Sequence, residues 1–173
     1  MELHTDNLPE KSRLLRAGDT VLLSGSVYTA RDAAHKKLFE LLDIGAELPF
    51  ELRGAVIYYA GPTPAKNGFA IGSCGPTTSA RMNKFAPRLF ALGLSATIGK
   101  GEVSAAVTDA LKHSGAVYFC AIGGAGALIA RHISAVEEIA FPELGCESVK
   151  RLTLDRLPLI VGVDSCGGSV FIR

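Results

Sequence analysis

Residues 114–130 read SGAVYFCAIGGAGALIA, a run without a single charge. It admits two readings with incompatible folds. A membrane helix needs roughly 20 consecutive apolar residues, and this run is shorter. Gly123 and Gly124 also divide it: the half before them is rich in aromatic and β-branched residues and suits a strand, whereas AGALIA suits a helix. A strand, a glycine turn and a helix, all apolar, describe a buried βα unit.

The same alternation continues outward. DTVLLSGSVYTA (19–30) is predicted as a strand entering a Gly-Ser turn, followed by a helix in TARDAAHKKLFELLDIG (29–45) with Ala34, Leu38, Leu41 and Leu42 on one face. Thr29 with Asp32 three positions on forms a capping-box-like start, and Gly45 is a suitable stop. A short strand AVIYYAG (55–61) precedes a helix in FAPRLFALG (85–93), with Pro87 in its first turn. SATIG (95–99) reads as a strand, and KGEVSAAVTDALKHSG (100–115) as a helix beginning near Glu102. EEIAFPELG (137–145) and LPLIVGVDSCGGSVFIR (157–173) read as strands with turns. Strand and helix alternate with glycine-rich connections, so the predicted class is α/β, as a single domain over residues 1–173.

The chain has 173 residues, 48% of them apolar, with 20% charged and no tryptophan. So lean a surface charge fits either a small monomer with a generous core or a chain whose apolar excess a partner covers. Net charge +1 without a dense Lys/Arg block argues against a nucleic-acid partner. The opening MELHTDNLPEKSRLL has early acids and no apolar core of a secretory signal, which points to a cytoplasmic protein with reduced thiols and no membrane partner. Cys74, Cys120, Cys146 and Cys166 are widely spaced and have no C-x-x-C pattern, so no metal ligand is predicted in this chain.

Three cations stand where a helix start disfavours them. Arg31 follows the Thr29 cap, Arg81 follows GPTTS (75–79), and Lys100 precedes the helix near Glu102. Each comes after a Gly- or Ser-containing turn, as a shared anion site at strand-to-helix turns requires. Arginine forks match a carboxylate in two places, and lysine adds a compact charge. On pattern alone a common site competes with three unrelated surface cations. Thr77 and Thr78 are equally ambiguous, as helix caps or as hydroxyls facing an anion.

GPTTSARM (75–82), TARDAAHKKL (29–38), IGKG (98–101) and VIYYAGPTPA (56–65) together resemble the C-terminal domain of class I fumarases. They equally resemble the beta subunit of iron–sulfur tartrate dehydratases, over almost the whole chain. The resemblance implies a swivelling β/β/α domain acting as a stand-alone beta subunit. Its alpha partner would carry a [4Fe–4S] cluster whose open iron acts as a Lewis acid, in a hetero-oligomer able to dimerise. It assigns Thr77 as catalytic base, and Arg31, Thr78, Ser79, Ala80, Arg81 and Lys100 as substrate-binding residues. His35, one helical turn beyond Arg31, is either a second-shell donor or a buried structural histidine. The implied reaction is reversible hydration of a small dicarboxylate, fumarate to L-malate, with L-tartrate dehydration as the alternative. A non-catalytic dicarboxylate-binding module or a scaffold subunit are the rival classes.

Overall fold

The computed structural model describes residues 1–65 and 68–171. The strands are β1 (Glu2–His4), β2 (Thr20–Thr29), β3 (Val56–Tyr58), β4 (Ala96–Gly99), β5 (Val117–Cys120), β6 (Ile133–Ala140) and β7 (Val149–Val163). The helices are α1 (Leu8–Lys11), α2 (Asp32–Asp43), α3 (Ala86–Ala91), α4 (Ala105–Ser114) and α5 (Gly126–Ala130). Strands β2, β3, β4 and β5 run parallel in that order. The long β7 pairs antiparallel with both β5 and β2, so the sheet closes on itself as a five-stranded barrel. β1 extends the sheet beside β2, and β6 extends it beside β7.

Closure explains why β3, β4 and β5 show no clean alternation in sequence. Both of their faces are covered, so near-continuous apolar runs are required. Val56, Tyr58, Ala96, Ile98, Val117 and Phe119 pack into one core with Leu152, Leu154, Leu157 and Val161 of β7, inside the barrel. Ile57, Tyr59 and Tyr118 face outward into a second core with Leu38 of α2, Leu89 and Phe90 of α3, and Val107 and Leu111 of α4. The uncharged stretch 114–130 is indeed a buried strand and a short helix, and no helix among the described residues is long and apolar enough to cross a membrane.

Two strand readings need correction. The Gly25-Ser26 pair does not turn the chain, because β2 runs through it from Thr20 to Thr29. Gly25 has a positive φ of 108°, and a side chain there would collide with the Thr5 hydroxyl, which accepts the Ser26 N–H at 3.1 Å. The irregularity extends to the partner: β7 inserts a residue opposite Leu23–Gly25, where Arg156 has φ 50° and its N–H donates to the Ser24 hydroxyl. The extra residue reverses the side-chain parity of β7, so Leu154 and Leu157 both point into the barrel. The C-terminal tail LPLIVGV completes β7 rather than forming a separate strand, and its last two residues, 172–173, lie outside the described residues.

The start of α2 also differs from the expected capping box. Its N-cap is Arg31, and no side chain of that cap bonds the helix. The Thr29 hydroxyl instead accepts from the Lys150 N–H at 3.0 Å and donates to the Ser148 carbonyl at 3.2 Å, fastening β2 to β7. At the far end Gly45 does terminate the helix, with φ 68° and its N–H on the Leu42 carbonyl. α4 begins at Ala105 under a Ser104 cap, not near Glu102.

Candidate functional site

The parallel strands send their carboxyl ends to one end of the barrel, where the chain leaves them at Arg31, Ala60–Gly61, Lys100 and Ile122–Gly123. Ligands of parallel sheets collect at such ends. The segment 72–82 crosses there, pairing with the strand ends through isolated bridges before its 3-10 turn. Pro76 bridges Ala60, the Thr77 N–H donates to the Tyr59 carbonyl at 2.6 Å, and Thr78 bridges Lys100. The Lys100 N–H donates to the Thr77 carbonyl at 3.3 Å, and the Ser79 N–H to the Lys100 carbonyl at 2.9 Å. Its small residues serve this close approach: Gly75 lies against Gly126 at the start of α5, and the Cys74 N–H bonds the Gly126 carbonyl at 3.0 Å.

Backbone pairing, rather than helix polarity, gathers the three cations. Of them only Arg31 adjoins a true α-helix. Arg81 sits on a single 3-10 turn, Ser79–Met82, and Lys100 lies in the loop before the Ser104 cap. Arg81 pairs with Asp32, the residue after Arg31: its Nε donates to Oδ1 at 3.1 Å and its Nη2 lies 2.8 Å from Oδ2. Arg31 Nη2 lies 3.5 Å from Glu147 Oε1, while Arg31 Nε is buried without a hydrogen-bond partner. Lys100 lays its side chain over Gly123, where an added Cβ would come within 3.4 Å of Cδ and 3.9 Å of Nζ. Its ammonium forms no ion pair among the described residues. The expected all-cationic cradle is therefore a mixed one, with two carboxylates interleaved among three cations.

Thr77 is half-buried and its hydroxyl makes no hydrogen bond to a described residue, whereas Thr78 and Ala80 are exposed. The N–H groups of Thr78 and Ala80 are likewise unclaimed among the described residues, leaving two amide donors beside the threonine hydroxyls. Ser79 corrects the expectation that its hydroxyl lines a ligand. It is 1% exposed and bonded at 2.8 Å to the Tyr118 hydroxyl, which donates to the Gly101 carbonyl at 2.7 Å. Burial pushes the Tyr118 phenol above its ordinary pKa, so it stays a neutral donor in this chain of bonds. Ser79 thus ties the segment to the barrel wall.

His35 is fully buried, stacked on Phe85 at 5.1 Å and edge-on to Tyr59. Its Nδ1 lies 2.9 Å from the Arg31 carbonyl, an acceptor only, so Nδ1 carries the proton; Nε2 has no partner. The ring cannot touch a ligand and acts, if at all, through Arg31. Desolvation lowers its pKa to about 4, against the raising effects of the Arg31 carbonyl and Asp32. As pH falls below the unfolded value of about 6.5, the unfolded chain takes up a proton that the folded chain refuses. Stability is therefore lost between about pH 6.5 and 4, by ~1.4 kcal/mol per pH unit. His35→Phe is expected to shrink the difference in urea-unfolding free energy between pH 7 and pH 5 by roughly 2 kcal/mol. An unchanged difference assigns the titration elsewhere.

Glu147, Asp32, Gly61 and Gly123 were not expected at the site. Glu147 lies in the loop before β7, far from Arg31 in sequence, and no local pattern marks it. Asp32 was visible only as a cap partner of Thr29. The cysteines do not fit an iron–sulfur cluster. Cys74 is buried with its thiol pushed up to about 12 by desolvation, Cys120 is half-buried and likewise raised, and Cys146 and Cys166 are exposed. Among the described residues no group of three or more His, Cys, Asp or Glu side chains is arranged to hold a metal.

The description "Fumarase C-terminus" matches residues 1–173. The chain belongs to the fumarase C-terminus family. A Methanocaldococcus jannaschii protein with the provisional name L(+)-tartrate dehydratase subunit beta is 40% identical over 99% of this chain and 91% of its own length. Fumarate hydratase 2 of Leishmania major is 40% identical over 90% of this chain but only 28% of its own length. The aerobic class I fumarate hydratase of Escherichia coli is 40% identical over 86% of this chain and 28% of its own length. The chain thus spans little more than a quarter of the longer relatives and nearly the whole of the beta subunit. The fumarase C-terminus residues that the motifs singled out, Arg31, Thr77, Arg81 and Lys100, are those the fold brings to one end of the barrel.

Proposed function

We propose that this chain is the beta subunit of a hydro-lyase that reversibly hydrates a small dicarboxylate, fumarate to L-malate. The observation that carries the reading is the crossing of Pro76–Arg81 over the ends of β3 and β4. It seats Thr77 on the backbone of Lys100 and ties Arg81, through Asp32, to the first turn after Arg31. Arg31, Arg81 and Lys100 grip the two carboxylates, with the amides of Thr78 and Ala80 as further donors. The same charges stabilise the enolate-like anion formed as a carbon-bound proton leaves. Thr77 takes that proton in dehydration and returns it in hydration. The hydroxyl is a weak base, and nearby uncompensated cations favour its ionised form. Lys100, with no ion pair among the described residues, is the cation best suited to supply that field.

The [4Fe–4S] cluster of the family belongs, in this reading, to an alpha partner. Two features support it. The four cysteines here are dispersed, and Ile122 and Leu128 expose 64% and 62% of their surface on the loop and helix beside the site. Apolar side chains left in water beside an open site suit a covering subunit. We read the fold as the swivelling β/β/α architecture, the whole chain as one domain, and its place as cytoplasmic. Dehydration of L-tartrate is the second reading, favoured by the near full-length match to a protein named for that activity.

The test is anaerobic assay of the chain alone and co-expressed with a cysteine-bearing alpha subunit, on fumarate, malate and both tartrates. Turnover is expected only in the complex, and fastest with fumarate and malate. Turnover by the chain alone, or a complex inert to all four substrates, overturns the reading; a complex faster on one tartrate selects the second.

A further inference from the structure

We propose that Glu147 is a positioning residue that fixes how Arg31 presents its guanidinium at the site. One carboxylate does two things. Oε1 lies 3.5 Å from Arg31 Nη2, and Oε2 accepts the Ala33 N–H, at the start of α2, at 2.9 Å. Glu147 therefore supplies from across the chain the cap that α2 lacks locally, and places a negative charge at the positive end of that helix. The Arg31 side chain lies closely against Gly61, which also faces the backbone of the 142–147 turn. A Cβ at Gly61 would lie 2.8 Å from Nη1, 2.9 Å from Cδ and 3.3 Å from the Cys146 carbonyl. Only one edge of the guanidinium meets Glu147, and Nε is left buried with no acceptor. An unclaimed buried donor of this kind calls for an explanation; here it adjoins Nη2, the nitrogen that faces Glu147.

The turn that carries Glu147 is itself braced, as a positioning role requires. It follows Phe141, at φ 59°, and contains Gly145 at φ 59°, ψ −115°. Glu143 pairs with Lys37 of α2 at 2.9 Å. At the exit, the Ser148 hydroxyl donates to Glu138 at 2.7 Å, and the Lys150 ammonium bonds Ser148 and the Gly145 carbonyl. Thr29 takes the Ser148 carbonyl from the other side. Both strand neighbours and α2 thus hold the turn that holds Arg31.

The contact stands on geometry alone, while its effect on turnover rests on the proposed function, so two measurements separate them. In the chain alone, the arginine Nε–H signals are followed by nitrogen-15 NMR, with Arg31 assigned by its loss in Arg31→Lys. The Arg31 Nε–H is expected to exchange slowly in wild type and roughly tenfold faster or more in Glu147→Gln, which keeps an acceptor for Ala33 but loses the charge. Equal exchange in the two proteins overturns the proposal whatever the substrate. In the assembled enzyme, Glu147→Gln is expected to raise KM for the dicarboxylate roughly tenfold with a smaller change in kcat. In an Arg31→Met background the same change should have no further effect on KM, because glutamine keeps an acceptor for the Ala33 cap and Glu147 reaches the substrate only through Arg31. A lowered KM would make Glu147 a competitor of substrate, and an undiminished effect in the Arg31→Met background would make it a general structural residue; either overturns the proposal. A wild-type complex inert to every dicarboxylate defeats the proposed function and leaves the NMR result to decide on Glu147.

Discussion

Thr77→Ala in the assembled enzyme is expected to lower kcat by roughly 10²–10⁴-fold, the range for loss of a positioned acid–base group, with KM nearly unchanged. The structure makes this substitution unusually clean. Thr77 is held by its backbone, its N–H on the Tyr59 carbonyl at 2.6 Å and its carbonyl on the Lys100 N–H at 3.3 Å. Alanine keeps both bonds, and the hydroxyl it removes has no partner among the described residues to leave orphaned. The segment, the Lys100 backbone and the unclaimed amides of Thr78 and Ala80 should stay where they are. A fall in kcat alone marks an interaction made only in the transition state. Thr77→Ser, which restores the hydroxyl, should recover most of the rate. An unchanged kcat in Thr77→Ala removes the residue from proton transfer and leaves it as a hinge of the binding loop.

Gly99→Ala should damage the same reaction from a position that touches no ligand. Gly99 ends β4 directly beneath the crossing segment. A Cβ there would collide with the Ser79 hydroxyl and lie 2.9 Å from Tyr59 Cδ2. Neither neighbour can yield cheaply. The Ser79 hydroxyl is bonded to Tyr118, which is bonded in turn to Gly101, and Tyr59 is 1% exposed in the outer core. Overpacking of this kind costs about 1–3 kcal/mol, or roughly 2–12 °C in Tm for a chain of this size. Because Thr77 and Arg81 ride on the displaced segment, kcat should fall about 10²-fold, the usual consequence of a misplacement near 1 Å. Adding Ser79→Ala removes the colliding oxygen and should return part of the Tm. Gly101→Ala meets nothing within 4 Å, so any loss there measures the strain of an L side chain at φ 74° without a collision. A wild-type Tm in Gly99→Ala would mean that the segment is not locked to β4 in solution.

The outcome at Ser79 shows how far motif reading reaches. Motif position placed Ser79 among ligand-binding residues together with Thr78 and Ala80, its two neighbours on the loop. Alternation along the crossing segment decides otherwise: Thr78 and Ala80 face outward, and Ser79 faces the barrel wall. The helix-polarity argument met a similar limit. It selected Arg31, Arg81 and Lys100, yet only Arg31 adjoins an α-helix, and two of the three are met by carboxylates. Glu147 had no such signal. Its contact with Arg31 joins residues 116 positions apart, and a glutamate in a loop is unremarkable until the loop is folded.

By itself the amino-acid sequence determined the family and much of the local structure: the apolar run cut by Gly123-Gly124 reads as a short strand and a short helix, and GPTTSARM with IGKG marks one lineage. Local backbone preference and side-chain pattern act over a few residues, so a string of letters carries them. Only the tertiary structure decided that β7 closes the sheet onto β2, that 72–82 crosses the strand ends, and that Glu147 stands against Arg31. Those outcomes depend on which distant surfaces bury one another, and on an extra residue in β7 that reverses which side chains enter the barrel, and neither is written in any one stretch of the chain.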